Sequence, residues 1–310
     1  MSAPRVEMAN AEFRELFERV SNWGRWGPND ERGTLNHLTP DRVAAAAGLV
    51  STGRTVSLSR PLNTEPELDN PEPADHHMTL LDGREHREGL AFAKDYIGVD
   101  YHNDSHSHLD ALCHVDFDGA LYNGRSSESI TEDGAAAETV EVMKDGVVGR
   151  GVLLDVPRLR GVDWLEPGEH IFPAQLEEAA REQGVTVEEG DVLLVRTGHA
   201  KRLETLQPWD PANAKAGLHP SCASLLSERC VATLGCDGNN DTAPSTTEGV
   251  GFPIHVLALN AMGMPLLDYL RLEDLKAVCE RARRWDFMFV AAPLRITGGT
   301  GSPLNPIAIL

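Results

Sequence analysis

The residues of this chain that could carry chemistry are crowded into Tyr101–Gly119, YHNDSHSHLDALCHVDFDG. Four of the 12 histidines fall between positions 102 and 114. His102, Asp104, His106, His108 and Asp110 follow one another at two-residue spacing. On an extended strand, where side chains alternate between faces, all five project from one face. Imidazoles and carboxylates at that density are poor core material, because each buried polar group needs a partner. A divalent cation satisfies several at once, and a mixed nitrogen and oxygen donor set suits zinc, manganese or iron(II) better than calcium or magnesium. His114 reads as a further ligand or as a general base. A bound divalent ion lowers the pKa of water to about 7, the range in which histidine exchanges protons. The competing reading of the cluster is an exposed, polar strand face, and that of His114 is a core histidine bonded to a carbonyl.

Other candidates carry less. Cys113 falls on the opposite phase of the alternation, which predicts a buried thiol rather than a nucleophile. The sequence has no G-x-S-x-G elbow, no G-x-x-x-x-G-K-[ST] loop and no H-E-x-x-H. Gly298-Gly-Thr-Gly301 reads either as a tight turn or as a loop whose N–H groups approach a substrate carbonyl. Asn103-Asp104-Ser105 and Asn240-Asp241-Thr242 match a glycosylation sequon and are read as chance.

The elements that must position the cluster are legible from periodicity. Residues 11–20 place Phe13, Leu16, Phe17 and Val20 on one helical face. Thr39 as N-cap and Pro40 at the first helical position open a second helix through Val50. Residues 54–60 alternate as a strand, and 61–75 form a polar loop. Val152–Val156, Val192–Arg196, Val231–Cys236 and Phe287–Ala291 are short apolar runs suited to buried strands. Pro173–Gln183 is a helix stopped by Gly184, and 254–262 and 272–284 read as helical. No linker divides the chain. The expectation is one mixed α/β domain over residues 1–310, with residues 1–50 as a helical arm packed on it.

Composition narrows the class. The 310 residues carry 28 Lys+Arg against 48 Asp+Glu, a net charge of −20. That excess argues against nucleic acid, whose binding rests on basic side chains displacing counterions, and against anionic membranes. No apolar run reaches transmembrane length, and Met1–Val20 lacks the core of a signal peptide. Five cysteines without C-x-x-C spacing fit a reducing compartment. A cytoplasmic enzyme acting on a small molecule is the expectation.

Residues 104–114 resemble the H-x-G-T-H-x-D-x-P-x-H signature of the cyclase family, metal-dependent amide hydrolases that include bacterial kynurenine formamidase and isatin hydrolase. His108, Asp110 and His114 match the second histidine, the aspartate and the last histidine. The first histidine falls at Asp104, the glycine at His106, the threonine at Ser107 and the proline at Leu112. Gly251-Phe-Pro-Ile-His255 and Gly263-Met-Pro-Leu-Leu-Asp268 resemble a second family block. RWGPNDERGTLNHLTP and TGSPLNPIAIL resemble the two ends of the longer branch.

The resemblance implies a swivelling β/β/α domain, with a mixed β core and peripheral helices, assembled as a homodimer or homotetramer. It makes His108 and Asp110 metal ligands and His114 the catalytic acid/base. Asp104 or His106 completes the ligand set, with His102 a third candidate. His255 and Asp268 supply a second ion or support the first, so one or two zinc or manganese ions are expected. Trp23 and Trp26 either line a substrate pocket or pack on the first helix. His76 and His77 are either pocket groups or an exposed pair. The implied reaction is hydrolysis of a cyclic amide, lactone or formamide. The alternatives are a metal-dependent lyase or ring-closing reaction, or metal binding without catalysis.

Overall fold

The computed structural model describes residues 7–78 and 92–310. Its centre is a nine-stranded mixed sheet. In spatial order the strands are Thr55–Ser57, Ile307–Ile309, Asp286–Ala291, Val147–Asp155, Val192–Arg196, Thr233–Cys236, Leu266–Asp268, His108–Asp110 and Gly301–Pro303. The four from Val147 to Asp268 run parallel to one another, and the remaining pairings are antiparallel.

Both faces of the central strands are buried, which explains their unbroken apolar runs. Val152, Leu154, Leu193, Val195, Leu234 and Leu266 join one core, and Leu153, Val192, Leu194, Leu267 and Leu109 join the other. The first core is closed by Asn10–Val20, which buries Phe13, Leu16, Phe17 and Val20, together with Pro173–Gln183 and the buried π-helical segment Val256–Met262. The second is closed by Glu273–Ala282 through Leu275, Val278 and Cys279. Thr39 caps Pro40–Ala47 by accepting from the Arg42 N–H at 3.4 Å, and Gly184 ends Pro173–Gln183 at φ 66°.

Two expectations are corrected. The strand through the histidine cluster covers only His108–Asp110. Before it, Asn103 Oδ1 accepts from the N–H groups of Ser105 and His106 at 2.9 and 3.1 Å. This Asx-type turn bends the chain and breaks the alternation, so the five side chains do not share one face. Val156 is also not in a strand: Asp155 ends the strand and caps Val156–Arg160 by accepting from the Arg158 N–H.

Candidate metal centre and active-site cavity

Register places the first donors. His108 pairs with Asp268 and Asp110 with Leu266 across adjacent antiparallel strands. Residues directly opposite share a face, as do residues two apart, so His108, Asp110 and Asp268 emerge together. Leu109 and Leu267 point into the core behind. Helical segment Pro253–His255 packs over this face and brings in His255. His102 arrives from the bend before the strand. Two donor groups result, His102–His108–Asp110 and Asp110–His255–Asp268, with Asp110 common to both.

Each donor other than Asp110 is aimed by a second contact. His108 Nδ1 donates to the His106 carbonyl at 2.7 Å, leaving Nε2 3.6 Å from Asp110 Oδ1. His255 Nδ1 donates to Asp241 Oδ2 at 2.6 Å, leaving Nε2 3.5 Å from both Asp110 Oδ2 and Asp268 Oδ2. Asp241 also accepts the N–H groups of Ile254 and His255. Asn240 donates to Asp268 Oδ1 at 2.6 Å. His102 Nδ1 lies 3.0 Å from Asp110 Oδ1, and its Nε2 is 3.0 Å from Thr300 Oγ1. A carboxylate or carbonyl behind each imidazole is the usual support of metal-ligating histidines.

The glycine-rich segment therefore acts as a turn that seats His102. A side chain at Gly301 would collide with the Leu109 carbonyl at 2.4 Å and the His102 ring at 2.8 Å. The Gly299 N–H donates to the Ile296 carbonyl at 3.0 Å, the Gly298 and Gly299 carbonyls accept from Ala135 and Val140, and none of residues 298–301 lines the cavity described below. Cys113 is buried, 3.9 Å from the Gly299 carbonyl, and burial pushes its thiol up to about 12. Burial and a raised pKa favour the buried-thiol reading over a nucleophile.

His114 stacks on His102 at 3.9 Å between centroids and lies 6.4 Å from the His255 ring. Burial pushes its pKa down to about 4, against the pull of Asp110 and with help from neighbouring imidazoles. It is therefore neutral at pH 7. Asp110 is fully buried, and neither oxygen has a hydrogen-bond partner. Burial opposes its ionisation, yet the surrounding histidines hold its carboxyl well below the usual range. Burial likewise disfavours a charged His255, but the carboxylates of Asp110, Asp241 and Asp268 around it hold its pKa well above the ordinary value. A buried anion ringed by imidazole nitrogens fits a divalent cation of the zinc, manganese or iron(II) kind. The residues present therefore fit the metal that the signature implies, with Asp110 able to serve one ion or two.

These groups open onto a cavity of about 440 Å³ with an apolar wall that includes Val115, Phe117, Val250 and Phe252. Among the other residues singled out from the sequence, Asp104 lines the same cavity but is engaged with Lys215 at 2.9 Å and with Tyr269, outside both donor groups. His106 is buried behind the bend with neither ring nitrogen bonded, and burial lowers its pKa. It too stands outside the donor groups, because the Asx turn rotates it away from His108. Trp23 donates to the Asn260 carbonyl at 2.7 Å and meets Phe17 edge-on, while Trp26 packs between Arg25 and His37. His76 and His77 are exposed on the hairpin Asp75–Met78 and Asp95–Gly98, 3.0 Å from Asp95 and Asp75 respectively. None of these four lines the cavity within this chain. No site role for Asn240, Asp241, Lys215 or Tyr269 was expected from the sequence. A polar run directly after the buried strand Thr233–Cys236 was the available signal for the first two, since ligands gather at the carboxyl ends of parallel strands.

The Cyclase family model matches residues 56–240. The chain belongs to the cyclase family. A crystal structure described as a novel cyclase is 32% identical and superposes with a TM-score of 0.86 over 94% of this chain and 99% of the other. Isatin hydrolase A from Labrenzia aggregata is 22% identical, with a TM-score of 0.60 over 88% and 98% of the two chains. A predicted metal-dependent hydrolase from Bacillus stearothermophilus is 17% identical, with a TM-score of 0.52 over 82% and 97%. The latter two share the fold. No curated protein matches the sequence. Among the described residues, no helix is long and apolar enough to cross a membrane.

Proposed function

We propose that this cyclase-family chain is a metal-dependent hydrolase that opens a cyclic amide or lactone, or cleaves a formamide, in the cytoplasm. The observation that carries this is Asp110, buried with both oxygens free of hydrogen bonds and faced by His102, His108 and His255. His102, His108 and Asp110 would hold one zinc or manganese ion, and His255 and Asp268 would complete its shell or, with Asp110, hold a second. A bound ion of this kind supplies Lewis-acid polarisation of the scissile carbonyl.

The chain's own groups do the rest. Neutral His114 takes the proton of the attacking water and returns it to the departing nitrogen or oxygen. Its stacking on His102 fixes the ring beside the donors without a further hydrogen bond. Asp241 and the His106 carbonyl keep His255 and His108 in the tautomer that presents Nε2, while His102 turns Nδ1 to Asp110. Phe252, Val250 and Phe117 give an apolar body its seat and limit the water around the reacting carbonyl.

The test is a panel of imides, lactones and formamides run on protein loaded with zinc or manganese, with chelator-stripped protein beside it. Activity is expected with metal and lost without it. In ¹⁸O-water, hydrolysis places solvent oxygen in the product. Turnover that leaves the label out overturns hydrolysis in favour of dehydration or ring closure. Full turnover by rigorously stripped protein overturns the metal's role.

A further inference from the structure

The cavity has a second polar station beside the imidazoles. Lys215 is 1% exposed and lines the cavity. Among the described residues of that wall it is the one lysine or arginine. Its Nζ lies 2.9 Å from Asp104 Oδ1 and 3.3 Å from the Tyr269 hydroxyl, which itself donates to Asp104 Oδ1. Tyr269 is held with φ at 52°, a conformation unusual for a bulky residue. Its N–H donates to the Gly238 carbonyl at 2.7 Å, and its own carbonyl accepts from Ser107 Oγ at 2.6 Å. The backbone is thus clamped on both sides to keep the hydroxyl on Asp104.

Burying an ammonium is costly, and an apolar side chain would fill the same volume without that cost. An ammonium carries three N–H donors, and Asp104 and Tyr269 take two. Asp104 already neutralises the charge, and Asp268 also faces the cavity, so a second carboxylate would be repelled there. A neutral acceptor oxygen is the partner that fits. The Tyr269 ring lies 6.3 Å from the His108 ring and 6.0 Å from Lys215 Nζ, so the ammonium and the imidazoles face one cavity across a shared neighbour.

Resting on the hydrolase reading above, we infer that Lys215 is a specificity-determining residue that donates to a second carbonyl oxygen of the substrate, remote from the scissile one. Asp104 and Tyr269 are positioning residues for its ammonium. The substrate class is a compact dicarbonyl, such as a cyclic imide. On hydrolysis one ring C–N bond breaks, the water oxygen bonds to the scissile carbon and a proton passes to the nitrogen. The second carbonyl stays on Lys215 throughout.

Phthalimide and isoindolin-1-one test this, since they share a bicyclic lactam and differ in the second carbonyl oxygen. Dissociation constants are measured by calorimetry on the metal-loaded protein, wild type and Lys215→Met. The wild type is expected to favour phthalimide tenfold or more. Lys215→Met is expected to weaken phthalimide about tenfold and isoindolin-1-one less than twofold. Equal binding of both by the wild type, or equal weakening of both by the variant, overturns the assignment. If Lys215→Met does not fold, Asp104→Asn/Lys215→Met removes both charges and reads the same ratio. Turnover measured in parallel separates the two readings. A Lys215-dependent preference without any product from the wild type keeps this assignment and defeats phthalimide hydrolysis. Phthalamate release with a KM indifferent to Lys215→Met does the reverse.

Discussion

Two buried charge clusters sit on the same sheet and are built in opposite ways. At the end of Val192–Arg196, the Arg196 guanidinium meets Glu273 through Nε at 2.8 Å, Asp155 through Nη1 at 2.9 Å and the Asp163 carbonyl through Nη2 at 2.9 Å. That cluster contains its own cation, fixed in a planar fork. At the end of His108–Asp110, Asp110 and Asp268 are met by imidazoles and, among the described residues, by no arginine or lysine. Both arrangements bury carboxylates; the second lines the cavity described above, whose wall includes neither Arg196 nor Asp155 nor Glu273. The difference teaches where this fold spends charge on structure and where it reserves charge for a ligand.

The largest break in the comparison comes from His114, which belongs to the second cluster without being one of its donors. His114→Ala is expected to lower kcat about 10²- to 10⁴-fold while metal content, read by elemental analysis, stays at the wild-type value. Loss of metal along with activity would move His114 into the donor set. On the other side, Arg196→Met leaves Asp155 and Glu273 buried without their cation. A loss of about 3–5 kcal/mol in denaturant unfolding is expected, and added zinc or manganese should not restore it. A metal-dependent rescue would erase the distinction between the clusters.

Smaller effects sharpen it. Asp241 touches no other donor than His255 and caps the segment that carries it. Asp241→Asn is expected to weaken metal binding about 10- to 100-fold in a chelator competition, with the fold intact. Glu138 is an intermediate case: it is buried with a single cation, Arg125 Nε at 3.0 Å. Burial, opposed by Arg125, pushes its carboxyl up to about 8 from an ordinary 4.5. The folded state then holds a proton that the unfolded state releases, so this group's contribution to stability falls as pH rises from about 4.5 to 8. Glu138→Gln should therefore raise the Tm at pH 8 by about 2–4 °C and leave it nearly unchanged at pH 4.5. An equal shift at both pH values would show that the carboxyl is ionised throughout.

Much of this layout was legible in the sequence, for identifiable reasons. The central strands announce themselves because both faces are buried, and Asn10–Val20 because its apolar residues fall on one helical face. His108, Asp110 and His114 stand out by density and spacing. The choice among His102, Asp104 and His106 was not legible, because it depends on the Asx turn at Asn103 and on the seat that Gly301 leaves open. Alternation is a reliable guide only where the chain stays extended. Lys215 was hidden for another reason: it lies in a loop rich in Pro, Ala and Asn, and its partner Asp104 is 111 positions away. Asn240 and Asp241, noticed in the sequence only as part of a chance sequon, brace Asp268 and His255.

The central claim is that Asp110 and its imidazoles form a cation site. Elemental analysis of wild type and Asp110→Ala, both produced in medium supplemented with zinc and manganese, tests it most directly. The account predicts at least one equivalent of divalent metal per wild-type chain and under about a tenth of that in the folded variant. A wild type without metal, or an Asp110→Ala protein that keeps it, would contradict the account.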